Sequence, residues 1–401
     1  MPANLADELL DEGMNLLVVS DVSAEQVLGG AERMLTQHLL ALSKAGHRVT
    51  LLTRQPDENA PLQVTVCGGV TEYRLPYHGH RGWQGLKQLR QEAGKWWLEH
   101  SKEFDAVIAE QPFTMWALIK AGCNLPRLQV CYSFAFEEYL TRHAGRWNIK
   151  DRIVAMSMRY LEGTIYRSAS GLLVLSRYTQ QRMQEVFGLG SERITISPGG
   201  VDLPNYPEMS HAEMRRELGW RGPVVVTLRN LVPRTGVDLL IGAAGLLKDK
   251  LPELHWCIIG QGAMLKELCV QAEALGVADR VEFTGYLAEE EVKRRLFAAD
   301  LFMLPTRDLE GFGLVTLEAN ACGLPVIATP VTANKEVVPS LPLNRLADAV
   351  TAPALADAVR SMLVDAYDEA SRELLRSTVE EKYAWKHHDA DFVRDVEELK
   401  S

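Results

Sequence analysis

Two glutamates, Glu310 and Glu318, stand eight residues apart in LPTRDLEGFGLVTLEANACGLPVIAT (304–329), with Gly311 and Gly313 between them. The apolar run up to Thr306 predicts a strand, and the apolar spacing after it predicts a helix from about Phe312 to Cys322. Gly311 and Gly313 let the backbone approach a ligand more closely than any bulkier residue would. The amides of Phe312, Gly313, Leu314 and Val315 would have no partner inside such a helix and would carry the positive end of its dipole. That is an anion site suited to a diphosphate. The dipole supplies about 1 kcal/mol, so cationic side chains are expected nearby. Glu310 would then lie at the helix mouth and Glu318 roughly two turns deeper, a spacing that suits the sugar and ribose ends of a nucleotide sugar. A carboxylate that accepts hydrogen bonds from both ribose hydroxyls is a reasonable role for Glu318. The plainer alternative, in which Glu310 caps the helix and Glu318 faces solvent, stands equally on these residues alone.

The elements that must position these groups are legible in the pattern. Strand-like runs at 14–20, 48–53, 105–110, 127–133, 171–176 and 193–198 alternate with amphipathic stretches such as AERMLTQHLLALSKAG (31–46). The second half repeats the scheme at 223–228, 254–260, 280–285, 300–306 and 325–329. Strands alternating with helices predict parallel sheets covered on both faces. A chain of 401 residues is too long for one core, and SPGGVDLPNYPEMS (197–210) has the Pro/Gly-rich, aperiodic character of a hinge. The expected domains are 1–198 and 199–382, with a terminal helix at about 383–401 packing back on the first. Ligands bind beyond the carboxyl ends of parallel strands, so two such domains face to face would form one cleft.

Composition narrows the function further. The net charge of -10 argues against a general nucleic-acid binder. Residues 1–200 carry 21 Lys and Arg against 21 Asp and Glu, so the deficit lies wholly in the second half. Six cysteines without a CxxC pair read as reduced core residues. The acidic start MPANLADELLDEG is unlike a secretory signal, and no apolar run of about 18 residues is present, so a cytoplasmic protein is expected.

The 304–329 stretch resembles the E-x7-E signature of retaining glycosyltransferases of family four, which have the GT-B fold of two facing Rossmann-like domains. The resemblance extends over nearly the whole chain: LGGAERMLTQHLLALSKAGHRVTLLT (28–53), VLSRYTQQRM (174–183), ISPGGVDLP (196–204), IIGQGAMLKEL (258–268), VEFTGYL (281–287) and the final YAW helix follow in the family's order. It implies transfer of a sugar, with retained anomeric configuration, from a nucleotide sugar (a UDP sugar favoured) to a hydroxyl of a glycan, lipid-linked or small-molecule acceptor. Glu310 would contact the donor sugar near the reacting carbon, Glu318 the ribose, and the amides after Gly311 the distal phosphate. The leaving diphosphate would deprotonate the incoming hydroxyl, and no cofactor or essential metal is expected.

The match is imperfect in two places. Where the family usually carries an Arg and a Lys five apart for the diphosphate, this chain has Arg229 and Arg234, each displaced by one residue from the common pattern. Where many members place a His near the donor sugar, this chain has Tyr132. Its hydroxyl could donate to the donor, or the ring could be packed with the hydroxyl satisfied elsewhere. By position, Gly29 and Gly30 are expected at the donor phosphates, Gly260 and Gly262 at the nucleotide, and Tyr286 and Leu287 beside the base. His78 and His80 make an HxH string without further ligands in sight, so no metal is expected there. The segment 81–102 interleaves Arg81, Lys87, Arg90, Lys95 and Lys102 with Trp83, Trp96 and Trp97, a pattern fit either for peripheral contact with an anionic membrane or for an ordinary domain face. Competing functions are a GDP-sugar transferase, a nucleotide-sugar epimerase or hydrolase on the same fold, and a catalytically silent binder. A Rossmann oxidoreductase is set aside, because no GxGxxG follows the first strand.

Overall fold

The computed structural model describes residues 13–25, 29–76, 82–141, 147–205, 209–364 and 367–400. His78, His80 and Arg81 lie outside the described residues. The chain forms two α/β domains. The first sheet has the order β3-β4-β2-β1-β5-β6-β7-β8, and only β3 runs antiparallel to its neighbour. Its strands are β1 (Asn15–Val19), β2 (Arg48–Arg54), β3 (Gln63–Thr65), β4 (Thr71–Leu75), β5 (Ala106–Ala109), β6 (Arg127–Cys131), β7 (Gly171–Val174) and β8 (Ile194–Ile196). The second sheet is wholly parallel, in the order β11-β10-β9-β12-β13-β14. It comprises β9 (Val224–Leu228), β10 (His255–Ile259), β11 (Val281–Gly285), β12 (Leu301–Leu304), β13 (Val326–Ala328) and β14 (Arg345–Leu346).

Central strands such as NLLVV and LFML are apolar without alternation because both faces are covered. In each sheet the strand order reverses once, between β1 and β5 and between β9 and β12. Those reversals open the crevices in which doubly wound sheets take ligands. The helix Trp385–Glu397 returns to the first domain, where Phe392 and Val396 join the core around Leu35 and Leu39 of the helix Gly30–Lys44. That core also takes in Phe312, Leu314 and Leu317, so one apolar cluster crosses the interdomain boundary.

Three strands escape the sequence pattern: β3, β4 and β14. In β4 the buried residues include Glu72 and Arg74, which bond to each other at 3.2 Å. A buried ion pair inverts the apolar alternation by which a strand is recognised. In the 81–102 segment the helix Gly82–His100 turns Trp97 into the core and stacks Trp96 on His100 at 4.4 Å between ring centroids. Trp96 and Trp97 therefore pack inward, as on an ordinary domain face, while Trp83 is exposed. No helix among the described residues is long and apolar enough to cross a membrane.

Candidate active site

The second-domain half of the site is built at the β9/β12 reversal. Arg229 follows β9, and the loop after β12 carries Thr306 and Glu310. Arg229 Nη2 donates to Glu310 Oε2 at 2.8 Å and to Thr306 Oγ1 at 3.1 Å, and Thr306 Oγ1 donates to the same carboxylate oxygen at 2.9 Å. The pair is nearly enclosed, with side chains 8% and 12% exposed. Arg229 Nε is buried and has no hydrogen-bond partner among the described residues. The guanidinium thus keeps a donor in hand for an anion. Arg234 lies in a single 3-10 turn, Pro233–Thr235, and its Nη1 faces the Leu309 carbonyl at 3.4 Å.

Costly backbone conformations flank Glu310 in space, at Leu309 in its own loop and at Thr332 in the loop after β13. Leu309 and Thr332 adopt positive φ, 58° and 42°. Such residues persist only where surrounding bonds enforce them. Here the Glu310 amide donates to Thr332 Oγ1 at 3.0 Å, and the Glu310 carbonyl accepts from the Ala333 amide at 3.2 Å.

The helix after the loop runs from Leu314 to Ala321, two residues later in onset than the sequence suggested. Gly313 caps it in the left-handed region (φ 84°). The amides of Phe312 and Gly313 therefore precede the helix, and Glu318 sits one turn in rather than two. Within this opening the Thr316 amide bonds the Gly313 carbonyl at 2.8 Å.

The first domain closes on this loop. The Gly311 carbonyl accepts from Ser176 Oγ at 2.8 Å, just beyond β7. A Cβ on Gly311 would stand 2.2 Å from the Tyr132 carbonyl oxygen, beyond β6. Leu314 packs against Gly30 and Gly199, where added Cβ atoms would approach it to 3.3 and 2.7 Å. Gly29 is the N-cap of the helix Gly30–Lys44. From that helix Arg33 reaches across the cleft to Glu318. Burial raises the Glu318 carboxyl above its usual range, and Arg33 opposes the shift.

Tyr132 has its hydroxyl satisfied within the protein, donating to Glu110 Oε2. Burial, followed by the Glu110 charge, raises the phenol well above its ordinary value, so it stays protonated. Its proton is therefore committed to Glu110, and the picture of Tyr132 as a free donor to the sugar does not fit this geometry. Behind it the chain of bonds continues. Glu110 Oε1 lies 2.8 Å from His38 Nδ1, His38 Nε2 lies 2.8 Å from His388 Nε2, and His388 Nδ1 lies 2.9 Å from Ser197 Oγ and 3.0 Å from the Pro198 carbonyl. This buried row links the cleft to the crossover between domains and to the terminal helix.

Other expected residues divide by position. Gly260 and Gly262 have a structural reason of their own: Cβ atoms there would lie 2.0 and 2.4 Å from the carbonyls of Arg229 and Leu231. They let the loop after β10 back the Arg229 segment. Leu287 packs in the second-domain core, whereas Tyr286 is exposed. Arg33, Thr306, Glu110, His38 and His388 were not singled out from sequence. Arg33 carried one signal, since a cation in a helix's first turn opposes the dipole and calls for an anionic partner.

Two Rossmann-like α/β domains facing each other across this crevice define a GT-B-type fold. The model described as Glycosyltransferase Family 4 matches residues 28–204, and the one described as Glycosyl transferases group 1 matches residues 211–382. Mannosylfructose-phosphate synthase of Agrobacterium fabrum is 32% identical over 322 residues, covering 72% of this chain and 68% of that protein. The chain belongs to the family-four glycosyltransferases. The GDP-mannose-dependent alpha-(1-6)-phosphatidylinositol monomannoside mannosyltransferase of Mycolicibacterium smegmatis is 36% identical over 211 residues, and the match spans only about half of its length (55%) and 50% of this chain. Among solved structures, sucrose-phosphate synthase from Thermosynechococcus elongatus superposes with a TM-score of 0.83 over 96% of this chain and 99% of that one, at 21% identity.

Proposed function

We propose that this chain is a retaining, metal-independent glycosyltransferase that moves a sugar from a nucleoside-diphosphate sugar to an acceptor hydroxyl. The observation that carries this reading is the Arg229–Thr306–Glu310 cluster at the sheet reversal, beside the opening of the Leu314–Ala321 helix. A diphosphate bound there meets Arg229, Arg234 and the amides around Gly313, which stabilise the charge that develops as the sugar departs. Glu310, held by two donors, presents its carboxylate towards the sugar. Glu318 exchanges its bond with Arg33 for the ribose hydroxyls. The leaving diphosphate takes the proton of the incoming hydroxyl on the face it vacates, so the protein contributes chiefly positioning and electrostatics.

Names of relatives such as the M. smegmatis mannosyltransferase favour GDP-mannose over the UDP sugar expected from sequence. The acceptor is a glycan, or a lipid-linked or small-molecule hydroxyl compound. The test is nucleotide diphosphate release from GDP-mannose and a panel of UDP and ADP sugars, with slow hydrolysis accepted in place of transfer. Release from one donor, lost in Glu310→Gln, is the expected result. Tight nucleotide binding without release, from every donor and with mixed acceptors present, would instead identify a silent binder.

A further inference from the structure

The helix Ile149–Ser168 carries an apolar stripe that nothing among the described residues covers. Its inner face packs Ala155, Leu161, Ile165 and Tyr166 into the first domain. On the outer face Ile149, Ile153, Met156 and Tyr160 are 79%, 58%, 71% and 74% exposed. Their spacings of four, three and four residues align them in one row along the helix. Single exposed apolar residues are ordinary, but a contiguous row rimmed by polar groups marks a contact surface.

The rim identifies the occupant. At 100° per residue, Arg152 and Arg159 flank the row on one side and Lys150 on the other, all exposed. The only acidic residues of the helix are turned away from water. Asp151 closes the N-terminal capping box with Asn148 and accepts from Tyr139 at 3.0 Å, and Glu162 is fully buried, accepting from the amides of Ala135 and Phe136 at 2.8 and 3.1 Å. On a protein of net charge -10, this helix therefore presents apolar residues and cations with no exposed carboxylate of its own, Glu137 of the neighbouring helix being the acidic group that reaches Arg159. Two copies pairing through this row would bring the Arg152 and Arg159 flanks against cations of the same helix, with no carboxylate on it to offset them. An anionic bilayer satisfies both features, because its acyl boundary takes the apolar row while its headgroups pair with the rim.

We propose that the outer face of the Ile149–Ser168 helix docks the protein peripherally on an anionic lipid bilayer. The helix lies in the membrane plane, with Ile149, Ile153, Met156 and Tyr160 inserted to the headgroup–acyl boundary. Docking is independent of which donor or acceptor the cleft takes, and it is measured without either.

The experiment is flotation of the full-length protein with vesicles of phosphatidylcholine alone or with about 30% phosphatidylglycerol, at low and at high salt. The expected result is at least about tenfold more protein on the anionic vesicles, weakened by salt. The variant Ile153→Ser/Met156→Ser/Tyr160→Ser, altered only at exposed positions, should lose this binding while keeping its thermal unfolding midpoint. Lys150→Glu/Arg152→Glu should lose it too, leaving the apolar row intact. Equal recovery on both vesicle types, no binding to either, or binding that survives both variants would overturn the proposal. So would a concentration-dependent dimer that the triple serine variant dissolves, because the row would then belong to a second copy.

Discussion

Arg33 and Glu318 meet across the cleft, joining the Gly30–Lys44 helix of one domain to the Leu314–Ala321 helix of the other. The carboxylate assigned to the ribose is therefore paired with a side chain of the other domain. Glu318→Ala should weaken donor binding about tenfold or more, the scale of losing hydrogen bonds to a charged group. Arg33→Ala removes the main opposition to the upward shift of the Glu318 carboxyl and leaves only the weaker pull of Lys293, so donor affinity should rise with pH more steeply than in the parent. Calorimetric titrations at acid and neutral pH read both effects. Unchanged affinity in Glu318→Ala would remove that residue from the donor site.

Glu310→Gln keeps the size of the side chain but removes the charge that Arg229 and Thr306 hold. Turnover should fall about 100-fold, the scale of losing one preorganised electrostatic contact, with nucleotide affinity within a few-fold of the parent. Steady-state rates of diphosphate release measure the first and nucleotide titration the second. An undiminished rate would take Glu310 out of the reaction.

Gly311→Ala places a Cβ where the Tyr132 carbonyl already stands, 2.2 Å away. The two domains can relieve this clash by opening, so the fold should survive while closure over the donor is lost. Turnover should drop about 10- to 100-fold, since closure excludes water and completes the site. Small-angle scattering should show a larger radius of gyration. A variant as compact and as active as the parent would contradict the close approach.

Tyr132→Phe removes a hydroxyl that serves Glu110. Leaving that buried carboxylate one donor short should cost about 1–3 kcal/mol of stability, while turnover changes only a few-fold. Urea unfolding and rate measurements separate these. A 100-fold loss of rate at unchanged stability would return Tyr132 to direct catalysis.

His388 gives the fold a pH dependence. Burial, with His38 beside it, lowers the imidazole from 6.5 to about 3. The unfolded chain binds this proton below about pH 6.5 and the folded chain does not until about pH 3, so stability falls as pH falls through that interval. One such group contributes a slope of about 1.4 kcal/mol per pH unit. Denaturant unfolding at several pH values should show His388→Gln losing less stability on acidification than the parent. Identical slopes would mean that His388 is not the group responsible.

Much of this architecture is determined by local sequence. Apolar runs such as NLLVV and LFML specify buried parallel strands, their alternation with amphipathic stretches specifies two doubly wound sheets, and the spacing of Glu310, Gly311, Gly313 and Glu318 already points to an anion site at a helix opening. These signals lie within a few residues of one another, where backbone propensity and side-chain periodicity act. Tertiary structure alone decides the partners. Arg33 finds Glu318 and His38 finds His388 from opposite ends of the chain, and Tyr132 spends its proton on Glu110 because β5 and β6 are neighbours. The onset of the Leu314–Ala321 helix waits for Gly313 because that residue turns left-handed at the cap. On the helix Ile149–Ser168, periodicity cannot say which of two apolar faces is the core. Only packing settles it, by covering Leu161 and Ile165 and leaving Ile153 and Met156 to water.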